Sequence, residues 1–339
     1  MPQSVFDYNF SDFQDECLKL GLKKYKAKQV FEALYKQKIA DFSLMTALSK
    51  DERKLMNESF TTFTLKNITE HIGSDTIKYR GEFADDVAIE WVLIKGRQRN
   101  TVCISTQAGC ALGCFFCATG SKYGFKRDLT AGEIVEQLVY VMSKGHDVNN
   151  VVYMGMGEPL LNYDNVIKSI RILSDKDSAD IGIRRFTVST AGIVPGMEKL
   201  IKEKLQINLA ISLHAANDKL RSKLMPINKK YAINGVLDAG EQYRNETSRR
   251  VTLEYILLKG VNDSKNDAYE LIQLISYRDF HVNLIPYNDT CLDFAPSEKS
   301  VVDAFYSMLV DAGINVTIRH SKGSDIKAAC GMLANESPN

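Results

Sequence analysis

Seven short runs rich in valine, isoleucine and leucine recur along the chain, at residues 101–106, 151–154, 185–190, 207–213, 251–258, 281–286 and 314–319. Runs of this length and composition are what strands buried on both faces look like. The stretches between them carry helix signals. Thr130 and Glu133 form a capping box, Ile134, Val135, Leu138, Val139 and Met142 make an apolar face, and Gly145 provides a stop. Pro195 suits the first turn of another helix. Ser297 is a candidate cap for a third, whose face is Val301, Val302, Phe305, Met308 and Leu309 and whose stop is Gly313. Repeated βα units predict an α/β fold with a parallel sheet and right-handed crossovers, barrel-like or doubly wound. In either case ligands gather at the C-terminal ends of the strands.

The first seventy residues read differently, as short helices. Val30, Phe31, Leu34 and Tyr35 recur at helical spacing, and lysines are dense at 23, 24, 26, 28, 36 and 38. That lysine face is either solvated or a phosphate-contacting surface. The division this predicts is a small helical accessory domain over residues 1–75 and a core domain over 83–333. At 339 residues, 45% hydrophobic and 25% charged, the chain can bury one large core with a small domain attached. No stretch approaches the ~20 apolar residues of a membrane helix, and the run from Val87 to Ile94 is broken by Glu90. The opening MPQSVFDYNF lacks the features of a signal peptide, so a cytoplasmic location is expected. A net charge of +1 excludes a uniformly basic nucleic-acid binder but leaves room for basic patches.

Seven cysteines without an export signal argue against a disulfide framework. Three of them, Cys110, Cys114 and Cys117, fall in a C-x3-C-x2-C pattern just after the first core strand. Three thiolates can hold three irons of a [4Fe-4S] cluster and leave the fourth open, whereas electron carriers normally use four cysteines. A zinc site would need a histidine such as His71 or His146, and neither has the usual spacing. Further strand ends carry polar and small residues: Met154 to Pro159, with Gly157 and Glu158; Ser189 to Gly192; Ser212-Leu213-His214; and Asn288. Individually such residues are ordinary, but at successive ends of one sheet they form a ring around one pocket. Phe116, just before the third cysteine, completes a pattern that resembles the radical S-adenosylmethionine (SAM) superfamily. The resemblance implies a [4Fe-4S] cluster whose open iron binds SAM, with Glu158 accepting from the SAM ammonium, and a 5′-deoxyadenosyl radical as the reactive product.

Over residues 22–333 the chain resembles the RlmN/Cfr family of radical SAM RNA adenine methyltransferases. The shared segments are Gln107 to Cys114, Met154 to Glu158, Ser212 to His214, Met225 to Lys230, Gly260 to Asp263 and Ala328 to Gly331. The family implies a partial (β/α)6 barrel and an N-terminal RNA-binding domain. Cys330 then takes a methyl group from a first SAM, and a second SAM yields the radical that abstracts hydrogen from it. The methylene radical adds to an adenine carbon, and Cys103 resolves the adduct through a disulfide with Cys330. Glu90 matches the family's proton acceptor. Read alone, Cys330 and Cys103 could each be core cysteines and Glu90 an interior ion-pair partner. Cys17 and Cys291 match no role and are expected to be structural.

Pro159-Leu160-Leu161-Asn162 resembles the housekeeping branch, which modifies C2 of an adenine in 23S rRNA and of the adenine beside the anticodon in tRNA. The other branch modifies C8 and confers antibiotic resistance. Residues 289–294 depart from the Pro- and Gly-rich pattern expected there. Basic segments at 122–127, 184–185, 221–230 and 319–322 are candidate phosphate contacts. The resemblance also implies an electron donor such as flavodoxin, with no membrane and no obligate protein partner. A non-catalytic iron–sulfur protein, whether electron carrier or RNA-binding scaffold, is the rival from another class, but it explains neither the strand-end ring nor Cys330.

Overall fold

A computed structural model describes residues 2–290, 292–319 and 322–334. Cys291 lies outside the described residues. The centre of the molecule is a ten-stranded sheet. Its strands are β1 Lys66–Ile72, β2 Thr76–Glu82, β3 Ala88–Ile94, β4 Thr101–Cys103, β5 Asn150–Tyr153, β6 Phe186–Thr190, β7 Asn208–Ser212, β8 Val251–Leu257, β9 His281–Pro286 and β10 Asn315–Ile318. Spatial order follows chain order from one edge to the other. The pairs from β1 to β4 are antiparallel, and every pair from β4 to β10 is parallel.

Each parallel connection carries helix. In chain order these are α4 Ala131–Ser143, α5 Tyr163–Ser174, α6 Val194–Lys202, α7 Asp218–Leu224 with α8 Ile233–Thr247, α9 Lys265–Ile275 and α10 Lys299–Asp311. Six βα units in unbroken order make a partial (β/α)6 barrel. There is no reversal of strand order, which a doubly wound sheet requires, and the sheet does not close, since β1 and β10 are its two free edges.

The expected start signals operate at α4 and α6. Thr130 and Glu133 form a reciprocal capping box, and Pro195 occupies the first turn of α6. Ser297 does not cap α10. Glu298 stands at that position without a side-chain cap bond, and the Ser297 hydroxyl instead donates to Asp263 at 2.7 Å. The acceptor is a largely buried carboxylate in the loop after β8, a stronger partner than a solvated helix end.

The N-terminal helices α1 Phe10–Lys19, α2 Lys24–Phe31 and α3 Lys50–Ser59 pack an aromatic knot of Phe6, Phe13, Phe31, Tyr35 and Phe60, with Phe13 and Phe31 centroids 5.0 Å apart. Val30, Phe31, Leu34 and Tyr35 are all buried, as their spacing predicts. This knot is continuous with the core of the sheet. Asp7 accepts from the Gly132 N–H at 2.7 Å, and Glu136 accepts from the Thr64 N–H at 2.7 Å and its hydroxyl at 2.6 Å, so the segment is bolted to α4. Lys66–Ile72 is a strand, not part of the helical segment expected there. Among the described residues no helix is long and apolar enough to cross a membrane.

Candidate active site at the C-terminal rim of the sheet

Beyond β4 a two-residue ladder, Gln107–Ala108 against Arg127–Asp128, pinches off the loop that carries the three clustered cysteines. Gly109 opens that loop at φ +82°, and a Cβ there would sit 1.5 Å from the Gly124 carbonyl oxygen, so only glycine permits the closure. The Cys110 N–H donates to that same oxygen at 3.1 Å. The Cys114 carbonyl accepts from the Cys117 N–H at 3.1 Å and the Ser121 hydroxyl at 2.9 Å. Cys114 and Cys117 rest on an apolar bed of Phe116, Leu224 and Met225. All three thiols are free and line one cavity of about 170 Å³.

Burial pushes the Cys110 thiol up to about 12 and Cys114 well above its ordinary value, with neighbouring thiols adding to both. Thiols this desolvated ionise only where coordination takes the proton's place. Among the described residues no three His, Cys, Asp or Glu side chains converge tightly enough for one ion. Three thiols lining one cavity are a donor set that suits three irons of a cluster. His71 and His146 do not line the cavity, and its histidine is His214.

Glu158, Gly157, Ser189, Ser212 and His214 line the same cavity from successive strand ends. Gly157 has φ +102°, and a Cβ would meet Gln107 at 2.6 Å. The Gln107 side chain in turn accepts the Glu158 N–H at 2.8 Å. The Glu158 carboxylate accepts from the Leu160 N–H at 3.0 Å and the Ala191 N–H at 2.7 Å. Burial lifts it to about 7 while these N–H groups pull it back, so it ionises readily when a cation approaches. His214 accepts the Ile256 N–H on Nδ1 at 3.1 Å, and burial followed by the charge of Arg221 holds its ring down at about 3. It is therefore neutral, with its proton on Nε2. Leu213 turns into the core. Asn288 stands beside the cavity and donates its amide to the Cys330 carbonyl at 3.2 Å. Asn162 donates to the Thr106 and Leu129 carbonyls, both at 2.7 Å, bracing the base of the cysteine loop.

A second cavity, of about 340 Å³, opens beside the first and holds Cys103, Cys330 and Arg319. The two share Cys117, Met154, Gly155, Ile285, Arg319, Cys330 and Gly331, so Cys330 stands at their junction. Burial pushes Cys103 up to about 12, Cys330 adds to the shift, and Arg319 opposes it. The Arg319 guanidinium is held above its ordinary value, chiefly by Cys330, and lies 3.8 Å from Glu254. The segment bearing Cys330 is fastened at several points. The Gly331 carbonyl accepts the Ala118 N–H at 2.8 Å, and the Leu333 carbonyl accepts the Thr119 hydroxyl at 2.6 Å. Asp325 accepts the Ser74 N–H at 3.0 Å, and Glu90 accepts the Ala334 N–H at 3.0 Å. Glu90 also pairs with the buried Lys78 at 3.0 Å, the interior ion pair that its position in an apolar strand allows, and lines neither cavity.

Three of the basic segments are not phosphate surfaces throughout. Arg221 is fully buried, and Arg127 is paired with Asp85 at 2.6 Å and Glu133 at 2.8 Å. Arg319 belongs to the cavities. Nothing in the local sequence distinguishes these arginines from surface ones.

Residues 104–272 match the radical SAM superfamily, and residues 4–61 match the ribosomal RNA large subunit methyltransferase N-terminal domain. A probable dual-specificity RNA methyltransferase RlmN from Pseudothermotoga lettingae is 45% identical over 97% of both chains. Its namesake from Staphylococcus aureus is 43% identical over 98% of this chain and 92% of its own length. The crystal structure of a radical SAM methyltransferase from Sphaerobacter thermophilus superposes with a TM-score of 0.95 at 40% identity, covering 99% of this chain and 100% of that one.

Proposed function

Because the chain belongs to the RlmN family of the radical SAM superfamily, we propose that it methylates C2 of a specific adenine in 23S rRNA and of the adenine beside the anticodon in tRNA. Cys110, Cys114 and Cys117 would hold a [4Fe-4S] cluster, with Gly157, Glu158, Ser189, Ser212, His214 and Asn288 around SAM; Leu213, expected among them, is turned into the core and packs there instead. When bound, the pair supplies one-electron cleavage of a carbon–sulfur bond.

The chain's own residues do the rest. The Cys330 thiolate takes a methyl group by ordinary substitution. An aromatic C–H carbon is a poor nucleophile, so the methyl is activated by hydrogen abstraction on Cys330 itself, and the resulting carbon radical bonds to the base. That ring carbon must also lose a proton; Glu90, which the resemblance makes the acceptor, is buried against Lys78 and lines neither cavity, so its role here is to hold Lys78 and the Ala334 N–H. Once the adduct has lost that proton and one electron, the electron going back to the one-electron couple that the bound cofactors would supply, the Cys103 thiolate attacks the Cys330 sulfur. The sulfur–carbon bond breaks as the disulfide forms, and the freed carbon takes up a proton to leave as the methyl group of the base. Arg319, beside Cys103 and Cys330, opposes the burial that holds the Cys103 thiol up and so favours its thiolate.

The observation that supports this reading is Cys330 at the junction of two cavities, one lined by the three clustered cysteines and the other by Cys103. Phe115 and Phe125 are exposed on the cysteine loop near Lys126 and offer stacking faces for unpaired bases. The helical segment, with exposed Lys23, Lys24 and Tyr25, serves as an accessory RNA-binding domain. A flavodoxin-type donor in the cytoplasm would supply the electron.

The test is mass spectrometry of RNA from a strain lacking the gene. Loss of 2-methyladenosine is expected. Loss of 8-methyladenosine instead would assign the chain to the C8 chemistry, and no change in either would sink the proposal.

A further inference from the structure

Arg221, in α7, has no exposed surface. Its Nε donates to the Leu213 carbonyl at 3.0 Å, and its Nη1 to the Asn228 side chain at 2.8 Å and the Tyr231 carbonyl at 3.5 Å. Its Nη2 donates to the Ala191 carbonyl at 2.7 Å and the Ser212 carbonyl at 2.9 Å. Every one of these acceptors is a neutral oxygen. The guanidinium thus ties the ends of β6 and β7 together, but a tie needs donors, not a charge. Burying a cation among neutral dipoles is strongly unfavourable unless anionic charge lies within reach. Asp218 does not supply it directly, since that carboxylate is exposed and meets Arg221 through Asn228, whose amide it accepts at 2.9 Å.

The anion lies on the other side. The Phe115 N–H donates to the Leu224 carbonyl at 3.0 Å, so the cysteine loop sits on the last turn of the helix that carries Arg221. Cys114 and Cys117 pack on the apolar cluster that contains Leu224 and Met225 at the end of that helix. Arg221 and Cys114 are near enough to act on each other electrostatically, and Arg221 also acts on His214.

We infer that Arg221 is the built-in counter-cation of the cysteine-bound cluster, and that its charge raises the cluster's reduction potential. The inference rests on the cluster reading above. A cluster held by three thiolates is anionic and gains one more negative charge on one-electron reduction. A fixed cation in a poorly solvated bed favours the reduced form over the oxidised one. Arg221 touches no substrate in this scheme and works through its field alone.

The test is an EPR-monitored reductive titration of the full-length, anaerobically reconstituted protein with dithionite. At the potential that half-reduces the wild-type cluster, Arg221→Gln should lower the ratio of reduced to oxidised cluster about tenfold, about 59 mV for a one-electron couple. Arg221→Lys, which keeps the charge, should stay within about twofold. Asp218→Asn, which removes the exposed anion opposing Arg221, should raise the ratio about twofold, the opposite sign to Arg221→Gln. A Gln variant with wild-type iron and sulfide content and an unmoved ratio overturns the inference. So does a Lys variant that moves as far as Gln, because hydrogen bonding would then be the cause. Should Arg221→Gln fail to fold, Asp218→Asn decides alone, and a ratio that holds or falls overturns the claim. A wild-type protein that takes up no iron or sulfide fails at the earlier step and removes the cluster reading together with this one.

Discussion

The two halves of the sheet build the site in opposite ways. In the parallel half, β4 to β10, each contribution is local: a strand ends, a few residues face the cavity, and a helix carries the chain away. Glu158, Ser189, Ser212 and His214 all arrive by that route. In the antiparallel half almost nothing faces a ligand. There Ser74, Glu90 and Lys95 grip a segment hundreds of residues later in the chain, through Asp325, Ala334 and Lys322 at separations of 251, 244 and 227 positions. One half lines the cavity, and the other adds long-range clasps to the segment bearing Cys330, which Asn288, Ala118 and Thr119 hold nearer the cysteine itself. A cofactor site made of local turns survives small changes one at a time. A cysteine held by distant clasps depends on the whole sheet being formed.

The sharpest way to break this division is to remove one cysteine from each half of the chemistry. Cys330→Ala should abolish RNA methylation, by at least about a thousandfold on the scale of an essential covalent group, while leaving iron and sulfide content at wild-type values. Cys114→Ala should lose both. If Cys330→Ala also loses the cluster, the two functions are not separable and the comparison fails. Next in size is Lys78→Met, which takes the cation from the buried Glu90, the two side chains being 10% and 1% exposed. Breaking a pair this deep should cost about 3 kcal/mol or more, read as a lower urea midpoint at unchanged slope. Because Glu90 anchors Ala334, the same variant should also slow methylation of Cys330.

The parallel half was legible because its strands are buried on both faces and so must be apolar throughout. The seven runs read from the sequence coincide with the seven parallel strands to within a residue or two, except that β4 ends at Cys103, short of 106. β1 was not legible for the converse reason. Lys-Asn-Ile-Thr-Glu-His-Ile has no residue fully buried, so no hydrophobic period marks it. Cys110, Cys114 and Cys117 were legible because their ligand spacing is local. Arg221 and Arg319 were not, because a buried arginine looks like a surface one until distant partners surround it.

The joint between the helical segment and α4 allows a smaller, pH-dependent test. Glu136 is fully buried against Thr64, and burial lifts its carboxyl to about 8. Its folded value therefore lies above the unfolded one near ~4.3. The folded state binds the extra proton between those two values, so this group's contribution to stability is present below the unfolded value and is lost as pH rises toward 8. Glu136→Gln keeps the shape and cannot ionise. It should raise the unfolding temperature at pH 8 and change it little at pH 5. A gain that is equal at both pH values would mean that ionisation is not the cause.

The smallest effects should sort the N-terminal lysines. Lys26 is already engaged, 2.9 Å from Glu52 and 2.9 Å from the Ala47 carbonyl, with 13% of its side chain exposed. Lys38 pairs with Asp147 at 3.1 Å, and Lys36 donates to the Lys176 carbonyl at 3.2 Å. Lys23 and Lys24 lead into α2 and are exposed beside Tyr25, itself 53% exposed. If the segment grips RNA, its grip lies with that second group. Lys26→Met should cost about 1 kcal/mol in stability and leave RNA affinity unchanged. Lys23→Gln with Lys24→Gln should leave stability unchanged and flatten the dependence of log affinity on log salt by about one unit for each phosphate no longer neutralised. An unaltered salt slope in the double variant would show that the helical segment's lysines are merely solvated, and would leave RNA recognition to the loops around the cavities.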